Sequence, residues 1–88
     1  MKINYEKSFL KDIKKLKNKK IAIKLKNILE NLEKEDDITN IKNIKKLKGY
    51  KNFYRLKIDD YRLGFSFDNN QIDIIRFLHR KEIYKFFP

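Results

Sequence analysis

The spacing of the apolar residues changes once along the chain, from the period of a helix to the period of a strand. Between residues 8 and 35 apolar side chains recur every three or four positions, as on one face of a helix. From residue 53 onward they alternate with polar ones, as on a strand buried on one face. Helices followed by strands predict an α+β fold, with the helices packed on a twisted, mainly antiparallel sheet.

Two amphipathic helices are predicted in the first part of the chain. Residues 2–6 alternate and predict a short strand, after which Ser8 is a suitable N-cap for the first helix. A turn at Asn18 separates the two helices. Their apolar stripes consist of Phe9, Ile13 and Leu16, and then of Ile21, Leu25, Ile28, Leu29 and Leu32. Both stripes are narrow, so the helical hairpin has to bury them against another layer.

Strands joined by tight turns are predicted in the second part. They span residues 53–58, 61–67 and 71–78. Asp59-Asp60 and Asp68-Asn69-Asn70 are turn-forming links, so consecutive strands should pair antiparallel. Residues 38–52 are interpreted as a basic connector, and residues 80–87 as a short helix or an extended tail. The predicted order is β-α-α-β-β-β in a single domain spanning residues 1–88.

The composition excludes several classes of protein. The chain has no cysteine, which excludes a disulfide framework and a thiolate metal site. With one histidine and no glycine-rich phosphate loop, we expect neither a metal nor another cofactor. No apolar run approaches the ~18 residues of a membrane span, and the first residues lack the apolar core of a signal peptide. We therefore expect a small cytoplasmic protein without a membrane partner.

The charge is large, positive and unevenly distributed. The chain carries 23 Lys and Arg against 12 Asp and Glu, a net charge of +11. Such an excess favours polyanionic partners, chiefly nucleic acid, although a lysine-rich proteome would also raise the total. The segment from residue 42 to 57 has seven basic residues and no acidic one: Lys42, Lys45, Lys46, Lys48, Lys51, Arg55 and Lys57. All four arginines also lie after residue 54, and background lysine enrichment does not explain this segregation.

Strand alternation places three of these cations on one face of the sheet. Arg55 and Lys57 oppose the apolar residues of their strand, and Arg62 opposes those of the next. The apolar residues must meet the helices, so the cations emerge on the uncovered face, beside the small residues Gly64 and Ser66. Like charges side by side suit a bound phosphate, and the alternative is a solvated face whose charges prevent aggregation.

The C-terminal residues provide further candidates. If residues 80–87 are helical, Arg80 and Tyr84 share a face and can close one edge of the phosphate site. Tyr84 is otherwise a core anchor beside Phe86. His79 is either a structural residue or a direct contact.

No acidic pair is placed for acid–base catalysis, because the carboxylates occupy turns and helix surfaces. Arg76 lies within an apolar strand and is interpreted as a structural partner of Asp73 or Asp60. The remaining metal-free set of Arg, Lys and Tyr suits RNA scission by attack of the 2′-OH on the neighbouring phosphate.

Four short motifs together resemble the RelE/ParE superfamily of type II toxins. They are Leu47-Lys48-Gly49, Phe53-Tyr54-Arg55-Leu56-Lys57-Ile58, Asp60-Tyr61-Arg62-Leu63 and His79-Arg80-Lys81-Glu82-Ile83-Tyr84. The helical hairpin before them matches in length and order, so the resemblance covers essentially the whole chain. It implies a toxin that a cognate antitoxin holds inactive, and the +11 charge predicts an acidic antitoxin segment that wraps the domain as a helix or strand.

The resemblance favours the RelE branch, whose members cleave mRNA in the ribosomal A site without a metal. It therefore implies ribosome and mRNA as partners, and a catalytic set consisting of Arg55, Lys57, Arg62, Arg80 and Tyr84. The predicted RNA contacts around this set are Lys46, Lys48, Lys51 and His79. The alternatives are the ParE branch, which poisons DNA gyrase without cutting RNA, and an inactive or merely nucleic-acid-binding relative.

Overall fold

A computed structural model describes all 88 residues and confirms the α+β class. The elements are β1 (Lys2–Tyr5), α1 (Lys7–Lys15), α2 (Lys19–Lys34), a 3₁₀ turn (Ile38–Asn40), β2 (Ile44–Lys46), β3 (Phe53–Ile58), β4 (Tyr61–Asp68), β5 (Gln71–His79) and α3 (Arg80–Phe86). The five strands form one sheet in the order β1-β5-β4-β3-β2. Only the β1–β5 pair is parallel. None of the helices has the length and apolar character needed to cross a membrane.

The three predicted strands of the second part pair as consecutive hairpins. Two-residue turns join them, at Asp59-Asp60 and at Asn69-Asn70. Asp59 has a φ of 52°, and Asn69 and Asn70 have φ values of 49° and 61°. Asn and Asp tolerate this left-handed region better than other non-glycine residues, which explains why these residues stand at the hairpin turns.

The segment 38–52 is not a plain connector as predicted, because it contains the short strand β2. β2 pairs antiparallel with β3 and forms one edge of the sheet. Three residues are too few to produce a readable alternation, and two of them are lysines, which are common on edge strands because they discourage pairing with other chains. This strand brings a further row of side chains beside those of β3.

Apolar residues pack on both faces of the sheet. The main core lies between the helical hairpin and the sheet and includes Phe9, Leu25, Leu63 and Phe65. A second cluster, consisting of Leu47, Ile83 and Phe87 with Phe53, Ile75 and Leu78 packed against it, lies on the opposite face. The face predicted to be uncovered is therefore partly covered by α3 and the residues that follow it.

Gly64 allows this close approach of the C-terminal residues. A Cβ added to Gly64 would lie 2.7 Å from Cγ of Phe87, well inside van der Waals contact. A glycine within a strand thus marks the point where another side chain packs directly on the backbone. The sequence predicts that Gly64 lies beside the cations on an uncovered face, whereas in the structure the Phe87 ring covers it.

Helix α1 completes the hydrogen bonding of β5 where β1 ends. β1 pairs with β5 only as far as Ile74. Beyond that point, Ser8 Oγ donates to the carbonyl oxygen of Ile75 at 2.6 Å, and Asp12 Oδ2 accepts from the backbone N–H of Phe77 at 2.9 Å. The two side chains thereby take the place of a neighbouring strand.

Two sequence predictions are corrected by this arrangement. Ser8 is not the N-cap of α1, because the helix begins at Lys7 after Glu6 and the Ser8 hydroxyl is bonded to β5. Arg76 does not pair with Asp73 or Asp60. It forms a bidentate ion pair with the buried carboxylate of Asp12, with Nε–Oδ2 and Nη2–Oδ1 distances of 2.8 and 2.9 Å.

Candidate functional site

Two pairs of like charges stand directly opposite each other on neighbouring strands. The register places Lys45 of β2 opposite Arg55 of β3, and Lys57 of β3 opposite Arg62 of β4. Opposed residues of an antiparallel pair project from the same face, so all four cations lie on the face opposite the helical hairpin. Like charges in this position repel each other, so an anion between them would be stabilising.

These cations line a hollow of about 280 Å³, which we call the cationic hollow. Its lining residues are Asn43, Lys45, Arg55, Lys57, Arg62 and Tyr84. No carboxylate is among them, and none of the four cations forms a salt bridge. Lys45 and Lys57 are exposed, whereas Arg55 and Arg62 are partly buried. The hollow therefore concentrates positive charge that the protein itself does not neutralise.

Arg62 is held in place by the turn between β3 and β4. Its Nη1 donates to the carbonyl oxygens of Asp59 and Tyr61, at 2.9 Å in both cases. These bonds leave the other guanidinium nitrogens for a ligand. The nearby Asp59 carboxylate accepts a hydrogen bond from Lys24 at 2.7 Å, and this bond, with the positive charges of Lys24, Lys20 and Lys57, lowers the pKa of Asp59. The Asp59 carboxylate thus forms an ion pair with Lys24 of α2.

Tyr84 is a wall of the cationic hollow and not a core anchor. It is 70% exposed, and the guanidinium carbon of Arg55 lies 4.6 Å from the centre of its ring. Ile83 and Phe87 provide the packing of this helix, with exposures of 0% and 5%. The contact is a cation–π interaction that fixes Arg55 and Tyr84 relative to each other.

Arg80 and His79 lie beside the cationic hollow without lining it. The Arg80 backbone N–H donates to the carbonyl oxygen of Asp60 at 2.7 Å, and its Nε lies 3.9 Å from an Asp60 carboxylate oxygen. Arg80 and Arg62 therefore contact neighbouring residues of the same turn. His79 caps α3 by accepting a hydrogen bond from the Lys81 N–H on Nδ1, and its ring packs edge-on against Tyr61.

The basic residues of the β2 segment are divided between the two faces. Lys46 is opposite Tyr54 and so projects from the hairpin side of the sheet, away from the cationic hollow. Lys48 lines an adjoining hollow, and Lys51 lines neither. Lys45 and Asn43 line the cationic hollow, and sequence reasoning did not select either of them. The missing signal was β2 itself, since its register with β3 decides which lysine faces Arg55.

The arrangement is chemically suited to a phosphate diester. Arg donors bind phosphate oxygens in a bidentate manner, and Lys supplies a concentrated charge beside them. No three His, Cys, Asp or Glu side chains meet in the fold in a way that would hold a metal ion. The chain thus supplies positive charges that can stabilise a negatively charged group, and an exposed aromatic ring lies next to them.

Comparisons with known proteins place this chain in a family. The family model of the ParE toxin of the type II toxin-antitoxin system parDE matches residues 3–84. Toxin RelE3 of Methanocaldococcus jannaschii is 38% identical over the full length of both chains. A chain in the crystal structure of the RelB-RelE antitoxin-toxin complex from Methanococcus jannaschii is 37% identical, with a TM-score of 0.83 over 97% of this chain and 99% of that one. The YoeB dimer structure from Staphylococcus aureus shares the fold at 22% identity, with a TM-score of 0.70 over 90% and 95% of the two chains.

Proposed function

Because the chain belongs to the ParE toxin family of type II toxin-antitoxin systems, we propose that it acts as a RelE-type toxin that cuts mRNA on the ribosome. The observation that supports this most directly is the cationic hollow, where four unpaired cations surround a space of about 280 Å³. The relative that is 38% identical over the whole chain is named a RelE toxin, which favours this branch over gyrase poisoning. The site of action is then the cytoplasm, where ribosomes translate mRNA.

The proposed reaction is scission of the RNA backbone by its own 2′-hydroxyl. The 2′-hydroxyl loses its proton to solvent as its oxygen bonds to phosphorus, the bond from phosphorus to the 5′-oxygen breaks, and the 5′-oxygen takes up a proton from solvent, so that a 2′,3′-cyclic phosphate and a 5′-hydroxyl result. Lys57 and Arg62 stabilise the charge that develops on the non-bridging oxygens, and Arg55 and Tyr84 hold the flanking backbone. Arg80, beside the Asp60 carboxylate, approaches from the edge of the hollow. The reaction consumes no metal or redox equivalent.

Dependence on the ribosome follows from the openness of the site. The cationic hollow is a surface depression whose Lys45, Lys57 and Tyr84 are exposed, so it does not by itself align a flexible RNA. Alignment of the 2′-oxygen with the breaking bond accounts for a large part of the rate in such reactions. An RNA held by the decoding site would arrive already ordered.

Primer extension on programmed ribosomes tests the function. We expect the wild-type protein to cut the mRNA within a codon and leave free mRNA in solution intact. The Arg62→Ala variant, which loses one of the two cations of the central pair, should cut far more slowly. A parallel reaction contains supercoiled DNA and gyrase. Intact mRNA together with double-strand breaks in the DNA would contradict the RNA-cutting function and indicate gyrase poisoning instead.

The cognate antitoxin of this toxin is proposed to be an acidic segment that covers the cationic hollow. With a net charge of +11, the toxin attracts an acidic chain over long range, and this attraction weakens with salt. We expect the affinity, measured by titration calorimetry, to fall by at least tenfold as NaCl is raised from low to high concentration. Binding that does not change with salt would contradict an electrostatic mode. The Lys57→Met variant should bind more weakly than wild type, while Lys14→Met, on the far side at α1, serves as the charge-matched control.

A further inference from the structure

A second hollow adjoins the cationic hollow, and the proposed cleavage does not account for it. It has a volume of about 410 Å³, and its lining residues include Lys45, Lys48, Tyr50, Arg55, Tyr84 and Phe87. We call it the aromatic hollow. Lys45, Arg55 and Tyr84 line both hollows, so a ligand in one of them lies directly beside a ligand in the other.

Tyr50 presents a supported but accessible ring in the aromatic hollow. It is 49% exposed, although large aromatic side chains usually bury most of their surface. Its ring packs edge-on against Phe53 with centroids 5.8 Å apart, and Phe53 packs edge-on against the buried Phe87 at 5.6 Å. Edge-on packing holds the ring in position and leaves surface of it free. The ring is therefore pre-organised for stacking.

The charged side chains that line the aromatic hollow are all positive. Lys45 and Lys48 are exposed, form no salt bridge, and flank the hollow together with Arg55. Arg55 already covers part of the Tyr84 ring, which is otherwise exposed. Open aromatic rings interleaved with cations are the arrangement by which proteins bind single-stranded nucleic acid, because each base has a face that stacks and each phosphate a charge.

We propose that the aromatic hollow is a nucleotide subsite of single-stranded RNA, in which a base stacks on Tyr50 and Lys45 and Lys48 contact the adjoining phosphate. Resting on the function proposed above, this is the nucleotide next to the one whose phosphate occupies the cationic hollow. The shared residues Lys45 and Arg55 then contact the backbone on both sides of that nucleotide. An acidic peptide would use the lysines but gain little from an exposed tyrosine ring, so the nucleotide is the better occupant.

Binding of short oligonucleotides tests this subsite without requiring cleavage. The probes are fluorescently labelled 2′-O-methyl RNA pentanucleotides, which lack the attacking hydroxyl, and the same oligonucleotides with one abasic residue at each position in turn. We expect the wild-type protein to lose affinity sharply at one abasic position. Tyr50→Ala should weaken the binding of the intact oligonucleotide by about five- to a hundredfold, as loss of one stacked base predicts. It should also remove the preference for a base at that position.

Three further variants separate the effect of stacking from the effect of charge. Tyr50→Phe keeps the ring and should bind as wild type does, which shows that the alanine effect comes from the ring. Lys45→Ala should weaken the binding of intact and abasic oligonucleotides equally and reduce the dependence of the affinity on salt concentration. Lys14→Ala on α1 should change neither the affinity nor its salt dependence.

The outcomes distinguish the subsite from the proposed function. Equal binding of intact and abasic oligonucleotides, or no effect of Tyr50→Ala, would overturn the subsite, as would an acidic peptide that binds at Tyr50 where the oligonucleotide does not. Positional binding that depends on Tyr50, together with intact mRNA on ribosomes, would support the subsite and overturn the cleavage function alone.

Discussion

Replacement of Lys57 by methionine is expected to lower the rate of mRNA cleavage on ribosomes by about 10²–10³-fold. Lys57 is exposed, forms no salt bridge and stands opposite Arg62 in the cationic hollow, so its ammonium group is available to a phosphate. Methionine keeps much of the length of the side chain and removes the charge. The measurement is the single-turnover rate of cleavage on programmed ribosomes, with saturating toxin so that binding does not limit it.

Lys14→Met provides the control, because Lys14 is an exposed residue near the end of α1 and the substitution removes the same charge. It should leave the rate within a factor of about two, since isolated surface charges act weakly through salt solution. Lys57→Met should also unfold at the same or a slightly higher urea concentration than wild type, because it relieves the repulsion with Arg62. A rate for Lys57→Met equal to that of the control would remove this lysine from the catalytic set.

The largest expected effect on stability comes from Asp12→Ala. The Asp12 carboxylate is 5% exposed and accepts three hydrogen bonds, two from Arg76 and one from the backbone of Phe77. Its loss leaves a largely buried guanidinium and an unpaired N–H on β5, which costs about 3–5 kcal/mol. A domain of this size has a free energy of unfolding of about 5–15 kcal/mol, so a large share of the total is lost. Urea denaturation followed by circular dichroism measures the change.

Asp59→Asn is the control, because it removes the charge of a carboxylate whose ion pair is exposed on both sides, and asparagine tolerates the left-handed φ of residue 59. Lys24 and Asp59 side chains are 41% and 49% exposed, and such pairs contribute about 0–1 kcal/mol. Asp12→Asn should fall between the two, since it keeps an oxygen for the Phe77 N–H but not the charge that pairs with Arg76. Equal destabilisation by Asp12→Ala and Asp59→Asn would contradict a stabilising role for Asp12 at the edge of β5.

The faces and the pairing of the three longest strands, which depend on local sequence, were predicted correctly. The alternation from residue 53 onward set the faces of three strands, and the acidic and asparagine turns set their pairing. The same alternation placed Arg55, Lys57 and Arg62 on one face, where the structure also has them. A period of two is unambiguous over six or more residues, because a shift by one position would bury the charges.

The features that were missed depend on contacts between distant segments. Asp12 shares the buried face of α1 with Phe9, but its partners Arg76 and Phe77 lie 64 and 65 positions further along the chain. Lys45 enters the cationic hollow only through the register of β2 with β3. Neither fact is encoded within a few residues of the side chain concerned, so reading each segment by itself could not reveal them.

The opposed pairs Lys45–Arg55 and Lys57–Arg62 couple the stability of the fold to the binding of an anion. Bringing four positive charges together on neighbouring strands costs folding free energy, and a bound polyanion returns it. By thermodynamic linkage, the free energy gained when the polyanion binds also raises the free energy of unfolding of the complex. Substitutions that remove these charges are therefore expected to stabilise the free domain and to weaken its binding to a polyanion.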